Sequence, residues 1–172
     1  MKQYLKRNIA DILKISPRKV QFYTDEFLVI PDVQPPSGKG SPRIYSYRNL
    51  VEFAMIVLMS GSFGVPLNLI STILMFLRDG QIKLGRFGSS KFEDFYKSDS
   101  WGVSKELIFI TKTFGLPKMF EYPVWLSVLE ADEQGNFSVD QAINDSGQGG
   151  NLCTTILKLG GIKRAALDLI EQ

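Results

Sequence analysis

A chain of 172 residues, 44% apolar and 22% charged, has the composition of an ordinary globular protein with room for one large or two small domains. It holds no histidine and one cysteine, Cys153, which excludes an intrachain disulfide, histidine-dependent hydrolase triads, His-ligated zinc and a thiolate zinc cluster. The net charge of +2 is uneven: residues 1–48 carry nine Lys or Arg against four Asp or Glu, and the remainder eleven against fourteen, so the N-terminal end is the one suited to an anionic partner.

In the first apolar-periodic segment, Tyr4 to Ile15, Leu5, Ile9, Ile12 and Leu13 recur at the spacing of one helical stripe. Lys14 and Ile15 separate it from a second helix, which Ser16 can cap and which Pro17 can open, because the first helical position has no use for a backbone donor. Val20 and Tyr23 fall on one face of that helix. Arg18, Gln21, Phe22 and Asp25 fall on the other, with Lys19 at its edge. Two short helices in so tight a turn read as a helix-turn-helix whose second member enters a DNA major groove, or as an ordinary hairpin of an all-α core.

Val29 to Pro31 end the helical part, and the stretch from Val33 to Pro42 is dense in Pro, Gly and Ser, so a loop is expected. In a winged helix such a loop joins two short strands, and Lys39, Arg43 and Arg48 would neutralise phosphates; a flexible surface linker is the alternative. Ile44, Tyr45 and Tyr47 read as a short strand.

Residues 53–77 contain no charge. A transmembrane span would need about 20 unbroken apolar residues, and the segment Ser60 to Pro66, with two glycines and a proline, divides the run into pieces too short for that. Two buried helices, Leu50 to Met59 and Leu67 to Leu77, are expected instead. A helix pair apolar nearly all round must be covered on several sides. Gly80 is a candidate left-handed cap for the second.

Gln81 to Gly102 has too many glycines and serines to sustain a heptad, and Phe87, Phe92, Phe95, Tyr96 and Trp101 suggest local core around one short helix. Strands are expected at Leu107 to Thr111, Val124 to Leu129, Phe137 to Val139 and Thr154 to Leu159. Asp132 to Asn136 reads as a turn, since it lacks the alternating oxygen ligands of a calcium loop. The glycines of Asn144 to Asn151 lack the context of a phosphate cradle. After Gly160 and Gly161, Ile162, Ala165, Ala166, Leu169 and Ile170 mark a closing amphipathic helix.

Several of these segments together resemble the N-terminal domain of the MerR family of bacterial transcription regulators. The likeness lies in Ile9 to Leu13, Ile15 to Tyr23, Leu28, Pro31, Pro42 to Ser46, Leu50 and Gly64 to Ile70. The family usually has Arg at the position of Gln21, Glu at Thr24 and Gly at Phe27. It also continues into a long helix that pairs with its copy in a dimer, which this chain does not repeat after Gly80.

The expected class is therefore α+β: a winged helix-turn-helix domain over residues 1–80 with its following helix pair, a linker or short helix over 81–104, and a small α+β dimerisation or effector domain over 105–172. The resemblance implies a regulator that binds double-stranded DNA as a homodimer, with an effector or RNA polymerase as further partners; the absence of histidine and of paired acids argues against an enzyme, and the lone Cys153 against a thiolate metal site, so no cofactor or metal is expected. The expected DNA-binding residues are Ser16, Arg18, Lys19, Gln21, Phe22, Tyr23, Lys39, Arg43, Tyr45 and Arg48. The chain start has no export signal pattern, so a cytoplasmic location is the simplest expectation. A protein-interaction module on the same scaffold is the alternative.

Overall fold

A computed structural model describes residues 2–34, 41–79, 81–84, 88–91, 95–97, 105–112, 124–134, 136 and 154–172. The class is mixed α and β, as expected. The chain divides into two compact units, residues 1–78 with 165–172, and residues 79–164.

In the first unit, helix α1 (Lys6–Ile12) buries Ile9 and Ala10 and is followed by the buried Leu13. Leu5 leaves the predicted stripe: it lies in strand β1 (Tyr4–Leu5), ahead of the helix, and is exposed. The helix stops in a Schellman turn, with Lys14 at φ 53° and the Ile15 N–H bonded to Ala10 O at 3.0 Å. Helix α2 (Pro17–Asp25) starts as the sequence predicts, with Ser16 Oγ accepting from Lys19 N at 3.2 Å. Strand β2 (Ile44–Tyr45) pairs antiparallel with β1, Tyr4 opposite Tyr45, and Ile44 also bridges to Gln34.

Tyr47 does not extend that strand; it is the first residue of helix α3 (Tyr47–Gly61). The reason is local. Ser46 Oγ accepts from Asn49 N, and Asn49 Oδ1 accepts from Ser46 N, a reciprocal cap that stops the strand at Tyr45. Leu50, Val51, Phe53, Ala54, Met55, Ile56 and Met59 are buried, so the uncharged run is core. A turn in which Gly64 adopts φ 62° leads into helix α4 (Leu67–Asp79), which buries Ile70, Ile73, Leu74 and Leu77. No described helix is long and apolar enough to cross a membrane.

In the second unit, the residues predicted as linker or short helix contain a hairpin. Strand β3 (Gln81–Leu84) pairs antiparallel with β4 (Gly88–Lys91), Leu84 opposite Gly88. The polar-apolar alternation of Gln81, Ile82, Lys83 and Leu84 has the period of a strand and accounts for the difference. Phe95 is buried. Three further strands form one antiparallel sheet in the order β6-β5-β7: β5 (Lys105–Lys112) is central, between β6 (Val124–Glu130) and β7 (Thr154–Lys158). After β6, the Asp132 carboxylate accepts from Gln134 N and Asn136 N, closing the predicted turn.

Helix α5 (Leu159–Glu171) follows β7 directly. It takes Leu159, Gly160 and Gly161 into its first turn, where the sequence suggested that the strand would run on to Leu159 and the helix would wait for the glycines. Residues 165–172 fall in the first unit. Gly80, Trp101, Phe137 to Val139, Asn144 to Asn151 and Cys153 lie outside the described residues.

Candidate nucleic-acid interface

Helix α2 is fixed from within by Val20, Tyr23 and Thr24, all buried. Tyr23 lies against Phe53 of α3 with ring centroids 6.5 Å apart, and Tyr45 meets the same ring edge-on at 5.4 Å. Thr24 Oγ1 donates to Val20 O at 3.0 Å, so the Tyr45 hydroxyl, 3.0 Å away, is left to donate to Thr24. Thr24 thus ties the helix to β2.

The exit of α2 is a second Schellman turn. Phe27 N bonds to Thr24 O at 3.1 Å and Leu28 N to Tyr23 O at 2.9 Å, with Phe27 itself at φ 57°. The fold therefore keeps the left-handed turn for which glycine is suited, and imposes it on a phenylalanine that is 75% exposed.

With the inner face so anchored, Arg18, Lys19, Gln21, Phe22 and Asp25 are exposed on the outer one. The Lys19 ammonium is 5.8 Å from the centre of the Tyr23 ring. Gln21 Oε1 accepts from Lys6 Nζ of α1 at 3.1 Å, which places a cation beside the position where Gln21 replaces a basic residue. Arg43, just before β2, pairs with Asp25 at the end of α2, Nη1 to Oδ1 2.7 Å. The hydrogen bond from Arg43 holds the Asp25 carboxyl below the usual carboxylate range, and the same bond raises the Arg43 guanidinium.

The predicted site residues therefore separate into groups. Ser16, Arg18, Lys19, Gln21 and Phe22 share the outer side of α2, and Arg43 reaches it through Asp25. Tyr23 and Tyr45 do not belong to that surface: both side chains are in the core, because the pleat at Tyr45 and the inner stripe of α2 turn them toward Phe53. Arg48 lies on α3 and pairs with Glu52 one turn on, at 3.5 Å. Lys39 lies outside the described residues.

Beneath the surface runs a polar network that sequence reasoning missed. Ser46 Oγ donates to Asp32 Oδ2 at 2.6 Å, and Asn49 Nδ2 donates to Ile30 O and Glu52 Oε2. Glu52, only 1% exposed, receives Arg78 of α4, which also bonds to Leu28 O. The segment leaving α2 is thereby fastened to α3 and α4. Its one sequence signal was that Glu52 and Arg78 bracket the uncharged run. Among the described residues no cluster of three or more His, Cys, Asp or Glu side chains is placed to hold a metal.

Residues 7–76 match the family model described as MerR HTH family regulatory protein. Residues 7–76 are thus similar to the helix-turn-helix domain of MerR-type regulators. The matched residues include most of α1, all of α2, β2 and α3, and most of α4, and the likeness supports a regulator of the DNA-binding kind. No curated protein matches the chain.

Proposed function

We propose that the protein is a transcription regulator of MerR type whose helix α2 enters the major groove of promoter DNA. The observation that carries this is the exposure of Arg18 and Lys19 on the first turn of α2, above an inner face locked to the core by Val20, Tyr23 and Thr24. In this reading the start of the helix at Ser16 and Pro17 faces a phosphate, while Arg18, Lys19 and Gln21 reach base edges or backbone. The segment from Gln34 to Ile44 is the wing, with Lys39 and Arg43 on the sugar-phosphate backbone. Arg48 is a further backbone contact.

The regulator acts as a homodimer on a pseudo-palindromic site in the cytoplasm, without enzymatic activity. Its sheet-bearing C-terminal unit receives an effector or a partner such as RNA polymerase. Genomic-sequence selection with the purified protein at two salt concentrations, with its mass measured alongside, tests the reading. Enrichment of a two-fold-related motif by a dimer is expected.

A second reading, a protein-interaction module, is favoured by the exposed Phe22, Phe27 and Ile30 around the end of α2. Uniformly low affinity for every duplex at low salt would select it, since non-specific binding requires only phosphates and basic side chains.

A further inference from the structure

Two polar contacts lie along the outer face of α2. Lys6 Nζ of α1 donates to Gln21 Oε1 at 3.1 Å, and Arg43 pairs with Asp25, one helical turn beyond Gln21, at 2.7 Å. The Arg43–Asp25 pair lies at the surface, with side-chain exposures of 27% and 46%. An ion pair so placed is shared with solvent, so a competing anion can replace one partner.

Asp25 is not there for its helix. It is the last residue of α2, where the carbonyl end of the dipole disfavours a carboxylate, and no basic residue stands in the last turn to offset it. What it does satisfy is a guanidinium. A carboxylate presents the same paired oxygens to arginine as a phosphate does.

From this we infer that Asp25 is an internal stand-in for DNA phosphate: it occupies Arg43 until a duplex displaces it. The inference rests on the DNA-binding reading and concerns the regulation of that same surface. While Asp25 is engaged, the Arg43 charge is cancelled locally. When phosphate takes Arg43, the same guanidinium exchanges one pair of anionic oxygens for another.

Wild type, Asp25→Asn, Arg43→Ala and the double variant, compared on a mixed-sequence duplex across a salt series, test the inference. Asp25→Asn should bind about fivefold more tightly at low salt, a factor of the size expected for a surface ion pair. Its salt slope should steepen by about 0.9, as for one more uncancelled positive charge at the phosphates. In the Arg43→Ala background the same substitution relieves only repulsion, so its gain should be clearly smaller. Asp25→Ser, folded as judged by circular dichroism, should repeat the behaviour of Asp25→Asn.

Equal gains in both backgrounds, or weaker binding by Asp25→Asn with Arg43 present, would overturn the stand-in role and leave the DNA reading intact. No duplex binding by any of the proteins at about 50 mM salt, where basic side chains hold phosphates most strongly, would overturn both.

Discussion

Arg78 of α4 grips Glu52 of α3 with both arms of its guanidinium, Nε to Oε1 at 2.9 Å and Nη2 to Oε2 at 3.1 Å, while Nη2 also bonds to the carbonyl of Leu28 beyond the exit of α2. The pair does more than join two apolar helices. It holds the segment that leaves the proposed recognition helix against the rest of the core.

Because Glu52 is buried, removing its main partner leaves the carboxylate with only the more distant Arg48 and the Asn49 amide to offset its charge. Arg78→Met should therefore destabilise the protein by about 3 kcal/mol, read from urea unfolding. The double variant Glu52→Leu, Arg78→Met should lose less than Arg78→Met alone, since no unpaired charge remains. A greater loss in the double variant would show that the pair is not the source of the effect.

Phe27 holds a left-handed backbone at φ 57° with its ring mostly in solvent. A side chain there costs about 1–2 kcal/mol of backbone strain, against about 0.4–1 kcal/mol of chain entropy that glycine gives up on folding. Phe27→Gly should raise the urea midpoint, with a net gain of about 0.5–1 kcal/mol. An unchanged or lower midpoint would mean that the exposed ring contributes packing that its exposure does not suggest.

The Thr24 hydroxyl donates to Val20 O and accepts from the Tyr45 hydroxyl. Thr24→Val leaves the buried Tyr45 hydroxyl without its acceptor and should cost about 1–3 kcal/mol. Tyr45→Phe leaves Thr24 bonded to Val20 O and should cost about 1 kcal/mol. Equilibrium unfolding of the two variants should show that order.

The depressed Asp25 carboxyl fixes the sign of a pH effect. Its folded value lies below the unfolded one, so the Arg43 pairing contributes stability that is fully present above about pH 4 and is lost as pH falls through the folded value. Asp25→Asn should thus unfold more readily than wild type at neutral pH, and the gap should close in acid. A gap that widens as pH falls would contradict the assignment.

The N-terminal unit was largely legible in the sequence. Ser16 and Pro17 announce α2 through local chemistry, and the two glycines and the proline between Ser60 and Pro66 divide the uncharged run where α3 and α4 meet. Local signals mislead where a distant group decides. Tyr45 and Tyr23 look like contact residues until Phe53, eight residues beyond the one and thirty beyond the other, takes both rings into the core. Tyr47 continues a strand pattern, but the reciprocal bonds of Ser46 and Asn49 turn the chain into a helix. Lys6 joins the candidate surface only because the hairpin of α1 and α2 brings it to Gln21, a meeting that no spacing encodes. Gly160 and Gly161 suggest a break, yet a helix starting at Leu159 tolerates them in its first turn, where the backbone donors are unpaired in any case.

The most direct test of the account is the salt dependence of duplex binding by wild type and Arg18→Ala. Arg18 is exposed, so its replacement should leave the unfolding midpoint unchanged. Wild type should bind duplex DNA with an affinity that falls steeply with salt, and Arg18→Ala should bind more weakly with a slope shallower by about 0.9 if Arg18 meets a phosphate, or with altered sequence preference if it meets a base. Identical affinity, slope and preference in the two proteins, or no duplex binding by wild type at low salt, would contradict the account.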